Sequence, residues 1–65
     1  MINYNKLWKL LIDKGLTKKD LIKISGISSS SMAKITKSEN VTTAVLVKIC
    51  KALDCDISDI CEIAK

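Results

Sequence analysis

Residues 16–35 contain the signals of two short helices with a single glycine between them. Thr17 is a good helix cap, and Asp20, three residues later, can accept a hydrogen bond from the backbone N–H of that cap. Gly26 ends the first helix signal, because glycine adopts a left-handed backbone conformation at little steric cost. Ser28 follows closely and can cap a second helix. The order of these signals constrains the segment to two short helices joined by a tight glycine turn.

The second of these helices is predicted over about residues 29–37. Met32 and Ile35 have the spacing of an inward face, so the remaining surface shows small serine side chains and lysines. This is the pattern of a helix-turn-helix, whose second helix can enter the major groove of DNA by its N-terminal end. The segment therefore predicts nucleic acid as the first partner to consider.

The lysines are concentrated in the half of the chain that contains this motif. Residues 1–37 have eight lysines and two aspartates, a net charge of +6, whereas residues 38–65 have three lysines and five carboxylates, a net charge of −2. Such a basic face suits phosphate, although an ordinary solvated lysine surface gives the same count. Every basic residue is lysine, so the bidentate arginine–guanine contact cannot form.

The 65 residues predict one domain, spanning residues 1–65, of the all-α class. Helical spacing dominates and proline is absent, so we expect five short helices at about residues 5–14, 18–25, 29–37, 43–53 and from residue 57 onward. Either Thr42 or Thr43 caps the fourth, and Asp56 caps the fifth, whose inward residues are Ile57, Ile60 and Ile63. The two ends, residues 2–4 and 60–64, are either a subunit contact or a frayed terminus and a core edge.

Composition excludes several other kinds of function. Cys50, Cys55 and Cys61 form no C-x-x-C pair and the chain has no histidine, so we predict free thiols, no metal site and no cofactor. Ser31 and Lys34 match an S-x-x-K motif, but that chemistry needs further motifs and a larger fold, so we predict a non-enzyme. No apolar run is long enough for a signal or a membrane span, which favours a cytoplasmic protein without a membrane partner.

Five segments, taken in order, resemble the lambda-repressor/Cro type of helix-turn-helix regulators, in particular their small single-domain bacterial members. They are Lys14-Gly-Leu-Thr-Lys-Lys-Asp-Leu21, Gly26-Ile-Ser28, Met32-Ala-Lys-Ile35, Leu46-Val-Lys-Ile-Cys-Lys-Ala-Leu53 and Asp56-Ile-Ser-Asp-Ile60. Together they cover nearly the whole chain. The resemblance implies five helices, of which the third reads the major groove and the second supports it.

The resemblance also implies three groups of DNA-contacting residues. Those that would face base edges and flanking phosphates are Ser28, Ser29, Ser30 and Lys34. Those that would hold a phosphate at the start of the second helix are Thr17 and Lys18. Those that would hold the backbone of the other strand are Lys37, Asn40 and Thr43.

The chain departs from the family pattern at three places. Ile22 stands where an alanine is usual, which crowds the contact between the second and third helices. Leu11 and Thr36 stand where an arginine and a glutamate often pair, so that ion pair is absent and an apolar contact is the expected replacement. Ser38 stands where a glycine is common after the third helix.

The sequence therefore predicts a DNA-binding transcriptional regulator that acts as a homodimer on an inverted repeat. The resemblance implies that the dimer contact lies in the region of the fourth and fifth helices. Because serine discriminates poorly between bases, phosphate contacts and DNA shape should supply much of the selectivity. No small-molecule effector is expected. The alternative is a protein–protein interaction module, such as an antitoxin-like or accessory partner, with only non-specific affinity for DNA. Steep salt dependence of binding separates the two, since it is a property of phosphate contacts.

Overall fold

The computed structural model describes residues 2–64, in which four α-helices are followed by one 3-10 helix, and a short β-ribbon joins the two ends of the chain. The α-helices are α1 (Asn5–Lys14), α2 (Lys18–Ser25), α3 (Ser29–Thr36) and α4 (Thr43–Leu53). The 3-10 helix is Ile57–Asp59, and the strands are β1 (Ile2–Asn3) and β2 (Glu62–Ile63). The predicted helical architecture is confirmed, with α3 ending one residue earlier than expected.

The predicted fifth helix is a single 3-10 turn, and a ribbon follows it. The carboxylate of Asp59 accepts a hydrogen bond from the backbone N–H of Asp56 at 2.9 Å, which closes the turn. The chain then extends as β2, which pairs antiparallel with β1 so that Ile2 lies opposite Ile63. Of the three isoleucines expected to face inward, only Ile60 is buried. Ile57 is 43% exposed and Ile63 is 71% exposed, because one short turn and an uncovered ribbon cannot bury both faces.

One cluster of buried side chains receives contributions from every α-helix and from both ends of the chain. Its members are Tyr4, Leu7, Leu11, Leu21, Ile27, Met32, Ile35, Leu46, Ile49, Leu53, Ile60 and Cys61. Ile22 packs partly buried against this cluster, so the larger residue is accommodated between the helices. Because α2 and α3 share the core, their crossing is fixed by packing as well as by the turn between them.

The helix ends follow the sequence signals closely. The Thr17 hydroxyl oxygen accepts a hydrogen bond from the backbone N–H of Asp20 at 3.1 Å, and the Asp20 carboxylate accepts one from the N–H of Thr17 at 2.9 Å. This reciprocal cap lowers the pKa of Asp20, chiefly through the hydrogen bond from the Thr17 backbone. Gly26 is left-handed, with φ of 75°. Thr42, and not Thr43, caps α4.

Ser38 occupies a conformation that favours glycine. Its φ is 58°, and it ends α3 in a Schellman motif, in which Glu39 N–H donates to the carbonyl of Lys34 and Ser38 N–H donates to that of Ile35. A residue with a Cβ is strained there.

We therefore expect Ser38→Gly to raise the free energy of unfolding by about 0.5–1 kcal/mol. For a domain of this size that corresponds to a rise of a few degrees in the melting temperature, measurable by circular dichroism. Ser38→Ala is the matched control, since it keeps the Cβ and should gain nothing. Equal stabilisation by both variants would contradict the strain argument.

The three cysteines are free thiols. Cys50, half-buried at the end of α4, has its pKa raised from the ordinary 9.0 to about 11, first by burial and then by the neighbouring Cys55. Burial likewise raises the pKa of Cys55 and of Cys61. These thiols therefore stay protonated in the folded protein at a pH at which an exposed cysteine ionises.

Because the folded state holds the Cys50 proton more tightly, its contribution to stability is present below pH 9 and is lost as the pH rises toward 11. We expect the free energy of unfolding, measured with urea between pH 8 and pH 11, to fall across this range. Cys50→Ser removes the titrating thiol at nearly constant volume and should reduce the fall. A profile with the same slope in both proteins would show that Cys50 is not responsible.

Candidate nucleic-acid interface

The N-terminal end of α3 is built by a cluster of serines. The hydroxyl oxygen of Ser28 accepts a hydrogen bond from the backbone N–H of Ser31 at 3.1 Å, and it lies 3.1 Å from the hydroxyl oxygens of both Ser30 and Ser31. Ser28 therefore acts as the helix cap, and its own hydroxyl donates a hydrogen bond to the hydroxyl oxygen of Ser31. Ser29 and Ser30 are exposed, so their hydroxyls are the ones best placed to meet a ligand.

The two faces of α3 differ sharply in exposure. Met32 and Ile35 are buried in the core, whereas Lys34 is exposed one position before Ile35. Lys37, the C-cap of α3, is exposed as well. The helix thus presents hydroxyls near its beginning and an ammonium nearer its end on the surface that the core leaves free.

The loop that follows α3 is held by a hydrogen bond from a residue near the N-terminus. The Tyr4 hydroxyl donates a hydrogen bond to the backbone carbonyl of Glu39 at 2.9 Å, and the Tyr4 side chain is only 1% exposed. Burial, and then the nearby Cys61, raise the pKa of Tyr4, so the hydroxyl stays protonated as a donor. Asn40 and Thr43, on either side of the α4 cap, are exposed. Tyr4 thus supports the loop that carries Asn40, a role that the sequence did not suggest.

Lys18, at the first position of α2, makes contacts with two other helices. Its ammonium nitrogen lies 4.5 Å from the centroid of the Trp8 ring, on α1, and 3.3 Å from the hydroxyl oxygen of Thr36, at the end of α3. Thr36 therefore makes a polar contact where an apolar one was expected, while Leu11 is buried in the core. Neither Trp8 nor Thr36 was predicted to contribute to the site, because no local spacing rule connects them with Lys18.

Thr17 retains a donor although it caps α2. Its hydroxyl oxygen accepts from Asp20, as described above, and a hydroxyl can accept one hydrogen bond while donating another. Lys18 lies directly beside it in sequence. A backbone phosphate at this helix end could therefore receive hydrogen bonds from a hydroxyl and an ammonium.

Another part of the surface has a mixed charge. An open groove there is lined by Lys9, Lys14, Asp54 and Asp59, among others. Lys6 and Glu62 approach to 3.9 Å and are both half-exposed, so this ion pair contributes little. Carboxylates are thus mixed with lysines on this part of the surface.

Residues 2–64 contain no group of three or more side chains suited to hold a metal ion. They also contain no helix with the length and apolar character that crossing a membrane requires.

Two helices crossing through a tight glycine turn, with the second exposing hydroxyls and a lysine, define the class of helix-turn-helix DNA-binding domains. The family described as the Cro/C1-type HTH DNA-binding domain matches residues 6–65. The chain belongs to this family, which is a family of DNA-binding domains and not of enzymes.

One solved structure supports the same assignment. The crystal structure of the transcriptional regulator VanUg, Form II, is similar to this chain with a TM-score of 0.91 and 51% sequence identity. The similarity covers 94% of this chain and 81% of that chain. No curated protein matches the chain.

Proposed function

We propose that the protein is a sequence-specific transcriptional regulator that inserts α3 into the major groove of DNA. The observation that carries the proposal is the two-sided α3, whose Met32 and Ile35 are buried while Ser29, Ser30 and Lys34 remain exposed. Family membership and the likeness to a transcriptional regulator support it. Residues 1–65 would then act as one DNA-binding domain in the cytoplasm, where bacterial DNA lies.

In this proposal some of the exposed side chains contact bases and others contact phosphates. Lys34 is the longest side chain on the free face of α3 and would reach a base edge, with Ser29 and Ser30 beside it. Thr17 and Lys18 would hold one phosphate, and the residues after α3 would hold the other strand. Ser28 would act through the cap that shapes the start of α3.

We also propose that the regulator binds as a homodimer on an inverted repeat. The body measures 29 × 23 × 17 Å, a size that lets two copies place their α3 helices one turn of DNA apart, about 34 Å. Val47 on α4 and Ile57 on the 3-10 helix are 42% and 43% exposed and line one groove, so they offer apolar area for the dimer contact. A different protein partner at the same apolar area is the rival function.

The test is selection of bound sites from a random duplex library at near-physiological salt, with the mass of the complex recorded. An enriched inverted repeat carrying two chains would support a dimeric regulator. No enrichment, with binding that disappears as salt rises, would leave only phosphate contact and favour the protein-partner function.

A lysine that touches only phosphate should have a different effect from one that reads bases. We expect Lys37→Ala to weaken binding to all duplexes alike and to reduce the slope of log affinity against log salt by about 0.9 for each protomer. Lys9→Ala is the matched control, because Lys9 lines the mixed-charge groove, among carboxylates. If Lys37→Ala left the slope unchanged, or Lys9→Ala reduced it equally, DNA would bind a surface other than the one proposed.

A further inference from the structure

Lys18 is the one predicted phosphate contact whose ammonium is already engaged by other side chains of the described chain. The Trp8 ring lies under its nitrogen at 4.5 Å, and the Thr36 hydroxyl oxygen accepts from it at 3.3 Å. Trp8 comes from α1, which the helix-turn-helix itself does not include. The ammonium is therefore placed where α1, α2 and α3 meet.

These two contacts reduce the freedom of a side chain that is otherwise very flexible. An exposed lysine has a four-carbon stem, and it loses much rotamer freedom when a ligand fixes its ammonium. The electron-rich face of a tryptophan attracts a cation more strongly than any other aromatic ring does. Because the ring and the hydroxyl already limit the rotamers of Lys18, its side chain loses less conformational entropy when it binds a phosphate.

The ammonium also keeps the capacity to bind an anion. It has three N–H donors, of which Thr36 takes one, and the contact with the ring face depends on charge and does not need a directed hydrogen bond. The carboxylate of Asp20 is held at the same end of α2 by the Thr17 N–H, and it would repel a phosphate. A fixed ammonium at this helix end offsets that repulsion.

We propose that Trp8 is a positioning residue for DNA binding, which holds the Lys18 ammonium, together with Thr36, in the place where a backbone phosphate meets the start of α2. This inference rests on the proposed function. It implies that α1 contributes to DNA binding, and that it does so only through its effect on Lys18. Trp8 itself touches no DNA in this arrangement.

The test is a double-mutant cycle in DNA affinity with Trp8→Leu and Lys18→Ala. With Lys18 present, Trp8→Leu should weaken binding to the selected site by about three- to tenfold, since the phosphate must then order an ammonium that only the Thr36 hydroxyl still holds. In the Lys18→Ala background the same change should weaken binding by less than about twofold. Equal losses in the two backgrounds would overturn the proposal, because Trp8 would then act through the fold or through its own contact with DNA.

Trp8→Phe and Lys18→Arg are the conservative variants. Phenylalanine keeps an aromatic face that attracts a cation more weakly, so Trp8→Phe should weaken DNA binding less than Trp8→Leu does. Lys18→Arg should retain the coupling to Trp8, because a guanidinium stacks on aromatic rings. Urea unfolding of each variant identifies any that fail to fold. Should Trp8→Leu be unfolded, the cycle is run with Trp8→Phe, and equal losses in its two backgrounds again overturn the proposal.

A measurement without DNA separates this inference from the proposed function. Trp8 is the only tryptophan in the chain, so fluorescence excited at wavelengths that tyrosine does not absorb reports on it alone. Lys18→Ala should shift the emission of the free protein by removing the adjacent charge, whereas Lys51→Ala, an exposed lysine on α4, should not. An emission unchanged by Lys18→Ala overturns the inference while leaving the proposed function intact. A wild-type protein that binds no duplex overturns both.

Discussion

Replacing Lys34 with alanine should weaken binding to the selected DNA site by roughly 5- to 150-fold, the equivalent of about 1–3 kcal/mol for a lost base-edge contact. The reason is geometric: Lys34 is exposed on α3, whose opposite face, Met32 and Ile35, is fixed in the core. Its neighbours on the free face are serines, whose side chains are too short to take over its reach. The expected result is measured by fluorescence anisotropy on the selected duplex.

The difference between the loss of affinity at the selected site and the loss at altered sites is the more informative result. Binding to duplexes that differ from the selected site by one base pair should fall less in Lys34→Ala than binding to the selected site itself, so that the sequence preference becomes flatter. Lys37→Ala provides the comparison, since a phosphate contact should lower all affinities together. If Lys34→Ala also lowered all affinities by one factor, Lys34 would be a phosphate ligand and the reading of bases would fall to the serines and to DNA shape.

Replacing the next residue, Ile35, with alanine should instead destabilise the whole fold. Ile35 is 0% exposed, and its truncation leaves a cavity that costs about 2–5 kcal/mol. A chain of 65 residues has a total stability of roughly 3–10 kcal/mol, so this change removes a large share of it. Urea denaturation followed by circular dichroism should show the midpoint falling steeply, or no folded baseline at all.

Lys34→Ala is the matched control for this second result. It lies one position away on the same helix but is exposed, so its free energy of unfolding should change by less than about 0.5 kcal/mol. Ile35→Val keeps most of the buried volume and should cost about 0.5–1.5 kcal/mol. A loss below 1 kcal/mol in Ile35→Ala would mean that the core around α3 can collapse onto the gap, contrary to the packing described.

Local sequence signals predicted the helix-turn-helix well because they act within three or four residues. The Thr17–Asp20 cap, the left-handed Gly26 and the Ser28 cap all appear as expected. Ser38 shows the limit of such rules: the position is left-handed, as the usual glycine implies, yet this chain places a serine there.

The ends of the chain were predicted less well, for a physical reason. Strands of two residues are too short to show any periodicity, and β1 pairs with β2 across almost the full length of the sequence. The run that follows Asp56 therefore resembled the start of a helix, although the chain extends after Asp59. No local pattern distinguishes these outcomes, since tertiary pairing decides between them.

The sequence predicted the exposure of the candidate DNA-contacting residues on α3, but it did not predict the contacts that Lys18 makes with other helices. Ser29, Ser30 and Lys34 are exposed on the free face of α3, as the helical spacing requires. Their contact with DNA stays a prediction. The sequence did not reveal that Lys18 is ordered by Trp8, because these residues are ten positions apart on different helices.

The ribbon between β1 and β2 has a consequence for how the protein is made. Residues near the N-terminus leave the ribosome first, yet Ile2 finds its partner only when Ile63 has also emerged. The carbonyl of Ser58, which Lys6 contacts at 3.2 Å, becomes accessible at nearly the same moment. We expect the nascent helices to remain only loosely closed during synthesis. The completed fold, and with it a rigid platform for α3, would then form only as β2 clears the exit tunnel.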